Sequence, residues 1–253
     1  MSEPTIGVVG VGRLGGAIAG WCAAEGLTVR EFNARRPAEW GGIPVPDVFI
    51  DCSAREVVDD VLDLCERLVV PLVECVSDLT PGHHERLRKL AQRTVVVPAT
   101  NLSLGNYLLT RVVEQVAGVL RTMDQNGIAG AMPEASVCER HPATKSHRPS
   151  GTAAALATCW LENAGSPASD VASLRAGGPV SDHEIRLSWA EQTLTVRHEM
   201  HTLDSAASGA VGIAGWTIGR SPGLYSAHTV FDHVLESMNN HAPGNSERNG
   251  ADR

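Results

Sequence analysis

Short apolar runs alternate with amphipathic stretches through the first hundred residues. TIGVVGVG, starting at Thr5, is almost continuously apolar, the pattern of a buried strand, and RLGGAIAGWCAAEG after it reads as a helix closed by Gly26. LTVREFNA and PDVFIDCS predict a second and a third strand, REVVDDVLDLCERL an amphipathic helix, and VVPLVECVS a further strand. TPGHHERLRKLAQR places a threonine and a proline where a helix begins, and TVVVPATN completes the series. Strands and helices in such alternation predict an α/β chain with a doubly wound parallel sheet.

The pattern changes near residue 105. NYLLTRVVEQVAGVLRTM predicts a long helix, IAGAMPEASVCER a strand, and the apolar stretch after Ser150 another helix. DVASLRAG, HEIRLSWAE and QTLTVRHEM read as consecutive strands, the last two as a hairpin, and ASGAVGIAGWTIG as a helix. The expected division is a first domain over residues 1–104 and a second, mixed α/β domain over 105–218. The polar end, rich in Asn, Gly and Pro, predicts a disordered tail over 240–253.

Composition narrows the partners. With 253 residues, 43% hydrophobic and 20% charged, the chain is ordinary for a globular protein of one or two domains. A formal charge of -8 argues against a general nucleic-acid or anionic-membrane surface. The six cysteines form no CxxC pair and read as free thiols in a reducing compartment. MSEPTIGVVG lacks the basic start and long apolar core of a signal peptide, and no apolar run reaches the roughly 20 residues of a membrane span. The expected location is the cytoplasm.

Gly10-Val11-Gly12-Arg13-Leu14-Gly15 fits G-x-G-x-x-G between the first strand and the first helix. In a Rossmann-type sheet the first glycine makes the turn, the second admits a pyrophosphate, and the third lets the helix pack closely. Gly10, Gly12, Arg13 and Leu14 are therefore candidate cofactor-binding residues, at a helix start that offers free N–H groups. About 20 residues on, where the fold places a ribose selector, stands Glu31-Phe32-Asn33-Ala34-Arg35-Arg36. If the second strand ends at Asn33, Arg35 and Arg36 face a 2′-phosphate; if it ends at Glu31, NADH becomes acceptable. The two arginines favour NADPH, with NADH as the alternative.

The second concentration of chemistry is cationic. Arg140, His141, Lys145, His147 and Arg148 crowd together just before Pro149-Ser150-Gly151-Thr152. Ser150 is a natural helix cap, and Gly151 and Thr152 would present backbone N–H groups and a hydroxyl to an anion that also meets Lys145. His141 is the nearby side chain suited to moving a proton at neutral pH. The pattern describes a site for a small anionic substrate. His83-His84 lacks an evident third ligand and gives no metal centre; His198 and His201 flank a strand end and read first as surface residues, with contact of one of them to the substrate pocket as the alternative.

Glu139-x-His141-x-x-x-Lys145 followed by Pro149-Ser150-Gly151-Thr152-Ala153 resembles the signature of the dihydrodipicolinate reductases of bacterial lysine biosynthesis. The likeness extends to Asp51-Cys52-Ser53, Asn101-Leu102-Ser103-Leu104-Gly105, Leu174-Arg175-Ala176-Gly177 with His183, and Ser208-Gly209-Ala210 with Trp216 and Gly223-Leu224-Tyr225. It implies a last segment, 219–239, returning to the first domain, and a homotetramer built through the second domain's sheet. It implies that Cys52 and Ser53 lie beside the cofactor. It also implies hydride transfer to a cyclic imine dicarboxylate, with His141 as proton donor, Lys145 assisting it, and Ser150, Gly151 and Thr152 binding a carboxylate. The chain departs from the signature at Pro142, where the family has a second histidine, and at His147, where it has an aspartate. Glu74-Cys75-Val76-Ser77 replaces a Gly-Thr-Thr-Gly loop, and Thr202-Leu203 replaces a Ser-Arg pair. The expectation is a reductase of a carboxylated cyclic imine or enamine, either the lysine-pathway intermediate or, as these changes favour, an altered substrate from specialised metabolism. The alternatives are a non-redox lyase, cyclase or isomerase on the same scaffold, and a non-catalytic nucleotide-binding homologue.

Overall fold

The apolar run IGVV forms β1 (Ile6–Val9), buried at every position, as the middle of a sheet covered on both faces demands. The computed structural model describes residues 4–99, 101–177 and 180–241, the last four by their helical backbone only. β1 pairs in parallel with β2 (Val29–Phe32) and with β3 (Val48–Asp51). β4 (Leu72–Glu74) and β5 (Val95–Pro98) continue the parallel sheet. The connecting helices are α1 (Arg13–Ala24), α2 (Val58–Leu68) and α3 (Pro81–Leu90). α1 turns Gly15, Ile18 and Cys22 inward, while α2 and α3 cover the opposite face with Val61, Leu62, Cys65, Leu87 and Leu90. Thr80 caps α3: its Oγ1 accepts from the His83 amide and His83 Nδ1 accepts from the Thr80 amide, both at 3.2 Å. His83 is thus part of a capping box.

The second unit begins with α4 (Leu104–Gln125). It carries β6 (Glu134–His141), α5 (Gly151–Ala164), β7 (Asp170–Arg175), β8 (Ser181–Ser188) and β9 (Thr193–Met200). The strands lie in the order β7-β6-β8-β9, with β6 and β7 parallel and the other pairs antiparallel. β8 and β9 form the expected hairpin. One face of this sheet packs on α4 and α5 around Val113, Trp160, Val137 and Ile185. β6 starts at Glu134, later than the apolar pattern suggests, because Gly127 and Gly130 at φ +83 and +71 turn the chain before it.

The chain then returns to the first unit. α6 (Asp204–Thr217) buries Ala206, Ala207, Ala210, Ile213 and Ala214 against Ile6, Val8, Ile18 and Ile50. A Cβ on Gly209 would stand 1.8 Å from the Leu102 carbonyl oxygen, so a small-residue face is what lets this helix sit so close. The return therefore begins with α6, ahead of the boundary expected at residue 219. β10 (Gly223–Leu224) joins β5, giving the order β10-β5-β4-β3-β1-β2, and α7 (Ala227–His241) follows. α7 takes in the first two residues of the tail expected over 240–253; the rest lies outside the described residues. Among the described residues no helix is long and apolar enough to cross a membrane.

Candidate active site

The glycine loop leaves β1 through Gly10, at φ +83, where a Cβ would meet the Ser53 Cα at 2.8 Å. A Cβ on Gly15 would lie 1.9 Å from the Gly10 carbonyl oxygen, so this third glycine lets α1 close onto the loop. A Cβ on Gly12 would meet nothing within 4 Å: it faces open space at the start of α1. That start has no side-chain cap and no acidic residue in its first turn, which leaves backbone N–H groups for an anion. A groove of about 540 Å³ runs from here over Gly10, Gly12, Asn33, Arg35, Cys52 and Ser53. These features fit a dinucleotide.

β2 ends at Phe32, so Asn33 is the first residue past the strand and Glu31 stays within it, opposite Val8. Asn33 Oδ1 accepts from the Arg35 amide at 2.9 Å, and this turn brings Arg35 to the groove. Among the described residues the Arg35 side chain has no ion-pair partner. Arg36 differs from expectation. Its guanidinium pairs with Glu39 at 3.2 Å on the surface, three residues along a short 3₁₀ turn, and it does not line the groove.

A second cavity, of about 400 Å³, lies between the two sheets. Arg13 and Leu14 reach it from the glycine loop, and His141, Lys145 and Thr152 from the second unit. His198 lines it as well, the one of the two flanking histidines that gets there. Lys145 is half-buried, and among the described residues its ammonium group has no ion-pair partner. Thr152 Oγ1 accepts from Asn101 Nδ2 at 3.2 Å. Ser150 takes a different place from the one its sequence position suggests. It is 3% exposed, its Oγ accepts from the Ala153 amide and meets His183 Nε2, both at 3.2 Å, and it lies beneath the cavity wall. Gly151 is exposed as the first residue of α5.

The floor of this cavity is organised by Glu139, fully enclosed two residues before His141 on the same face of β6. Its Oε1 accepts from Arg175 Nη2 at 2.8 Å, from Ser173 Oγ at 2.7 Å and from the Ser150 amide at 3.0 Å. Strand register assembles the set: Glu139 stands opposite Ser173 on β7 and His183 on β8, His183 opposite His198 on β9, and His141 opposite Arg175. Burial pushes the Glu139 carboxyl up, but the bonds from Ser150, Ser173 and Arg175 outweigh it and hold the group down at about 2. His141 Nε2 lies 3.3 Å from Glu139 Oε2. Burial depresses the His141 imidazole; Glu139 opposes this, and the Lys145 and Arg175 charges reinforce it. Burial, with the neighbouring His141, takes His183 down to about 4. Glu139, His141 and His183 bring possible metal-ligand atoms within 4.8 Å of one another. The carboxylate there is already taken up by an arginine and two serines, and a cation would face the Arg175 charge directly.

Glu139, Arg175 and His183 stand in segments that carry the family likeness but have no role assigned from them, and no motif singles out Ser173. Alternation on a strand signals Glu139, two positions from His141. The others depend on register between strands, which the sequence does not display.

The carboxyl ends of β3 and β4 carry a buried acid pair, Asp51 and Glu74, in register and 0% and 1% exposed. Asp51 Oδ1 accepts from the Ser53 amide and Glu74 Oε1 from the Val76 amide, each at 2.8 Å, so the pair fixes both loops that follow. Burial first, then the Asp51 charge, pushes Glu74 up to about 9. Between the ordinary carboxyl range and about 9 the folded chain keeps a proton there that the unfolded chain has released, so stability falls as pH rises through that window. Glu74→Gln should flatten this slope. Urea midpoints at about pH 6 and about pH 8.5 test it, and an unchanged slope would contradict the protonated assignment. On the other face of these strands Cys75 meets Cys52 through a thiol contact, Cys75 lining the inner cavity and Cys52 the groove.

Comparison with known proteins agrees with this geometry. The family model described as "Dihydrodipicolinate reductase, C-terminus" matches residues 105–231. The chain is 32% identical over 188 residues to a 4-hydroxy-tetrahydrodipicolinate reductase of Xanthomonas euvesicatoria pv. vesicatoria, covering 74% of each protein. It is 28% identical over 205 residues to the Rickettsia akari enzyme of the same name, covering 76% of this chain and 80% of that one. Its fold matches the dipicolinate-bound dihydrodipicolinate reductase from Paenisporosarcina sp. TG-14 with a TM-score of 0.66 at 18% identity, over 89% of this chain and 98% of the other. In sequence, with the fold in agreement, the chain belongs to the dihydrodipicolinate reductase family, as a divergent member.

Proposed function

We propose that the chain is a nicotinamide-dependent reductase of a small carboxylated cyclic imine or enamine, acting on its C=N or conjugated C=C bond, with NADPH preferred to NADH. One observation carries the reading. Arg13 and Leu14, which open the helix behind the glycine loop, line the same cavity as His141, Lys145 and Thr152. The names of the relatives, 4-hydroxy-tetrahydrodipicolinate reductases, support the reaction class. The departures at Pro142, Leu203 and Glu74-Ser77 favour a substrate other than theirs, from specialised metabolism. A homotetramer joined through the open face of the mixed sheet is in keeping with the charged side chains there, where Arg140 and Arg197 pair with Asp182 and Glu199. The cytoplasm is the compartment that suits its six free cysteines.

The bound nicotinamide would supply the hydride. The chain's own part begins with Lys145, whose unpaired ammonium, together with the Thr152 hydroxyl and the open end of α5, receives the substrate carboxylate. His141 then provides the proton. Glu139 Oε2 faces its Nε2 at 3.3 Å. The imidazole is held below its ordinary value partly by the Lys145 charge. A carboxylate that neutralises Lys145 lifts that part of the restraint, so the imidazole holds a proton more readily once the substrate is bound. Ser150 acts from below: its amide holds Glu139 and its hydroxyl holds His183.

Asn33 at the end of β2 offers no charge to repel a 2′-phosphate, and the free Arg35 guanidinium offers one to attract it. Titration with NADPH and with NADH, followed by nicotinamide fluorescence, tests the reading. NADPH should bind more tightly, Gly12→Asp should abolish binding of both, and Arg35→Ala should weaken NADPH by about tenfold or more while leaving NADH nearly unchanged. Failure of both cofactors to bind would overturn the reductase reading.

A further inference from the structure

We infer that the substrate carries a single carboxylate, and that its opposite edge is uncharged and rests on an apolar wall. The inference deepens the reductase reading above and rests on it. It comes from a census of charge around the inner cavity. Lys145 supplies one cation, next to the Thr152 hydroxyl and the start of α5. Arg13 lines the cavity too, but it is the first residue of α1, at an uncapped helix start where the pyrophosphate of the bound cofactor would take its charge. The other arginines of this region are engaged elsewhere. Arg175 is 3% exposed and holds Glu139, and Arg140 turns to Asp182 and Glu199 on the far face of the sheet.

The rest of the wall has no cation to offer. Leu102, Met200, Leu203, Ala99 and Ala206 are apolar. The three histidines there, His141, His183 and His198, are each depressed by burial, which disfavours the charged form that a second carboxylate would need. His198 Nε2 is 3.4 Å from Ser103 Oγ, and its Nδ1 is enclosed. Asn101 Oδ1 is committed to the Ser103 amide at 3.0 Å, and its amide nitrogen to Thr152. One carboxylate finds a counter-charge and donors in this cavity. A second would lie against Leu203 and Met200, or beside neutral imidazoles, with its desolvation uncompensated. Leu203, half-buried at the start of α6, is then the residue that selects against a second acid group.

Two flat ring acids test this without turnover: picolinate, with one carboxylate, and dipicolinate, with two. On the NADPH-loaded protein, calorimetric titration should show picolinate binding at least about tenfold more tightly than dipicolinate. Leu203→Arg should strengthen dipicolinate by about tenfold or more relative to picolinate; Met200→Lys is the parallel variant should Leu203→Arg not fold. Tighter binding of dipicolinate to the unaltered protein, or binding of neither acid, would overturn the single-carboxylate inference while NADPH binding kept the reductase reading intact. Loss of NADPH binding itself would overturn that reading instead.

Discussion

Replacing His141 with asparagine is expected to lower kcat by about 10²–10⁴-fold, with cofactor binding retained. Asparagine keeps a polar group of similar reach but cannot be protonated, so the exchange isolates the proton from the shape. Lys145→Met should act differently. It removes a charge that meets the carboxylate in both ground and transition states, so KM should rise about tenfold or more with a smaller change in kcat. The pH profiles carry a sharper signature. His141 is depressed in the free protein by burial, and by Lys145 and Arg175 against the pull of Glu139. A bound carboxylate cancels the Lys145 contribution, so the ring's pKa is higher in the complex. An essential acid is lost as pH rises through its pKa; the fall in kcat, which reports the complex, should therefore come at higher pH than the fall in kcat/KM. The reverse order, or a drop of only a few-fold in His141→Asn, would remove His141 from the role of proton donor.

The parts of this molecule that were legible from sequence are those written in local pattern. Continuous apolar runs between helical stretches gave the parallel sheet, because a strand covered on both faces has no polar side to show. G-x-G-x-x-G could be read at the level of single atoms: Gly10, Gly12 and Gly15 each stand where a side chain would alter the loop, the groove or the helix contact. What stayed hidden depends on long-range placement. Nothing local ties α6 to the first sheet; its alanines read equally well as the face of any packed helix, and it is their packing on Ile6, Val8, Ile18 and Ile50, with Gly209 against Leu102, that fixes the partner. Arg35 and Arg36 are adjacent and chemically identical, yet a turn held by Asn33 sends one to the groove and Glu39 draws the other away. Ser150 shows the same limit: cap chemistry identified it correctly as the start of α5, while its hydroxyl is spent on Ala153 and His183 below the cavity.

Glu139→Ala should be the most damaging single change to stability in the second unit, costing about 3–5 kcal/mol through the loss of a buried, hydrogen-bonded charge pair. The alanine leaves Arg175, 3% exposed, without its carboxylate, and leaves the Ser150 amide and Ser173 hydroxyl unpaired. Arg175 also reaches the carbonyl oxygens of Lys145, at 2.8 Å, and His147, so the damage spreads to the loop that carries the cation. Removing both charges should hurt less than removing one: Glu139→Ala with Arg175→Met is expected to recover part of the loss, the mark of an ion pair whose members are costly mainly when alone. The acid limb gives a second reading of the same residue. Glu139 is held down at about 2, so its contribution is complete above the ordinary carboxylate range and fades as pH falls through that range towards about 2. The unaltered protein should lose stability along that limb more steeply than Glu139→Gln. Denaturant midpoints between about pH 5 and about pH 2.5 decide it: parallel slopes would show that the Glu139 carboxylate adds nothing to stability, and that the network below the cavity is held by its serines alone.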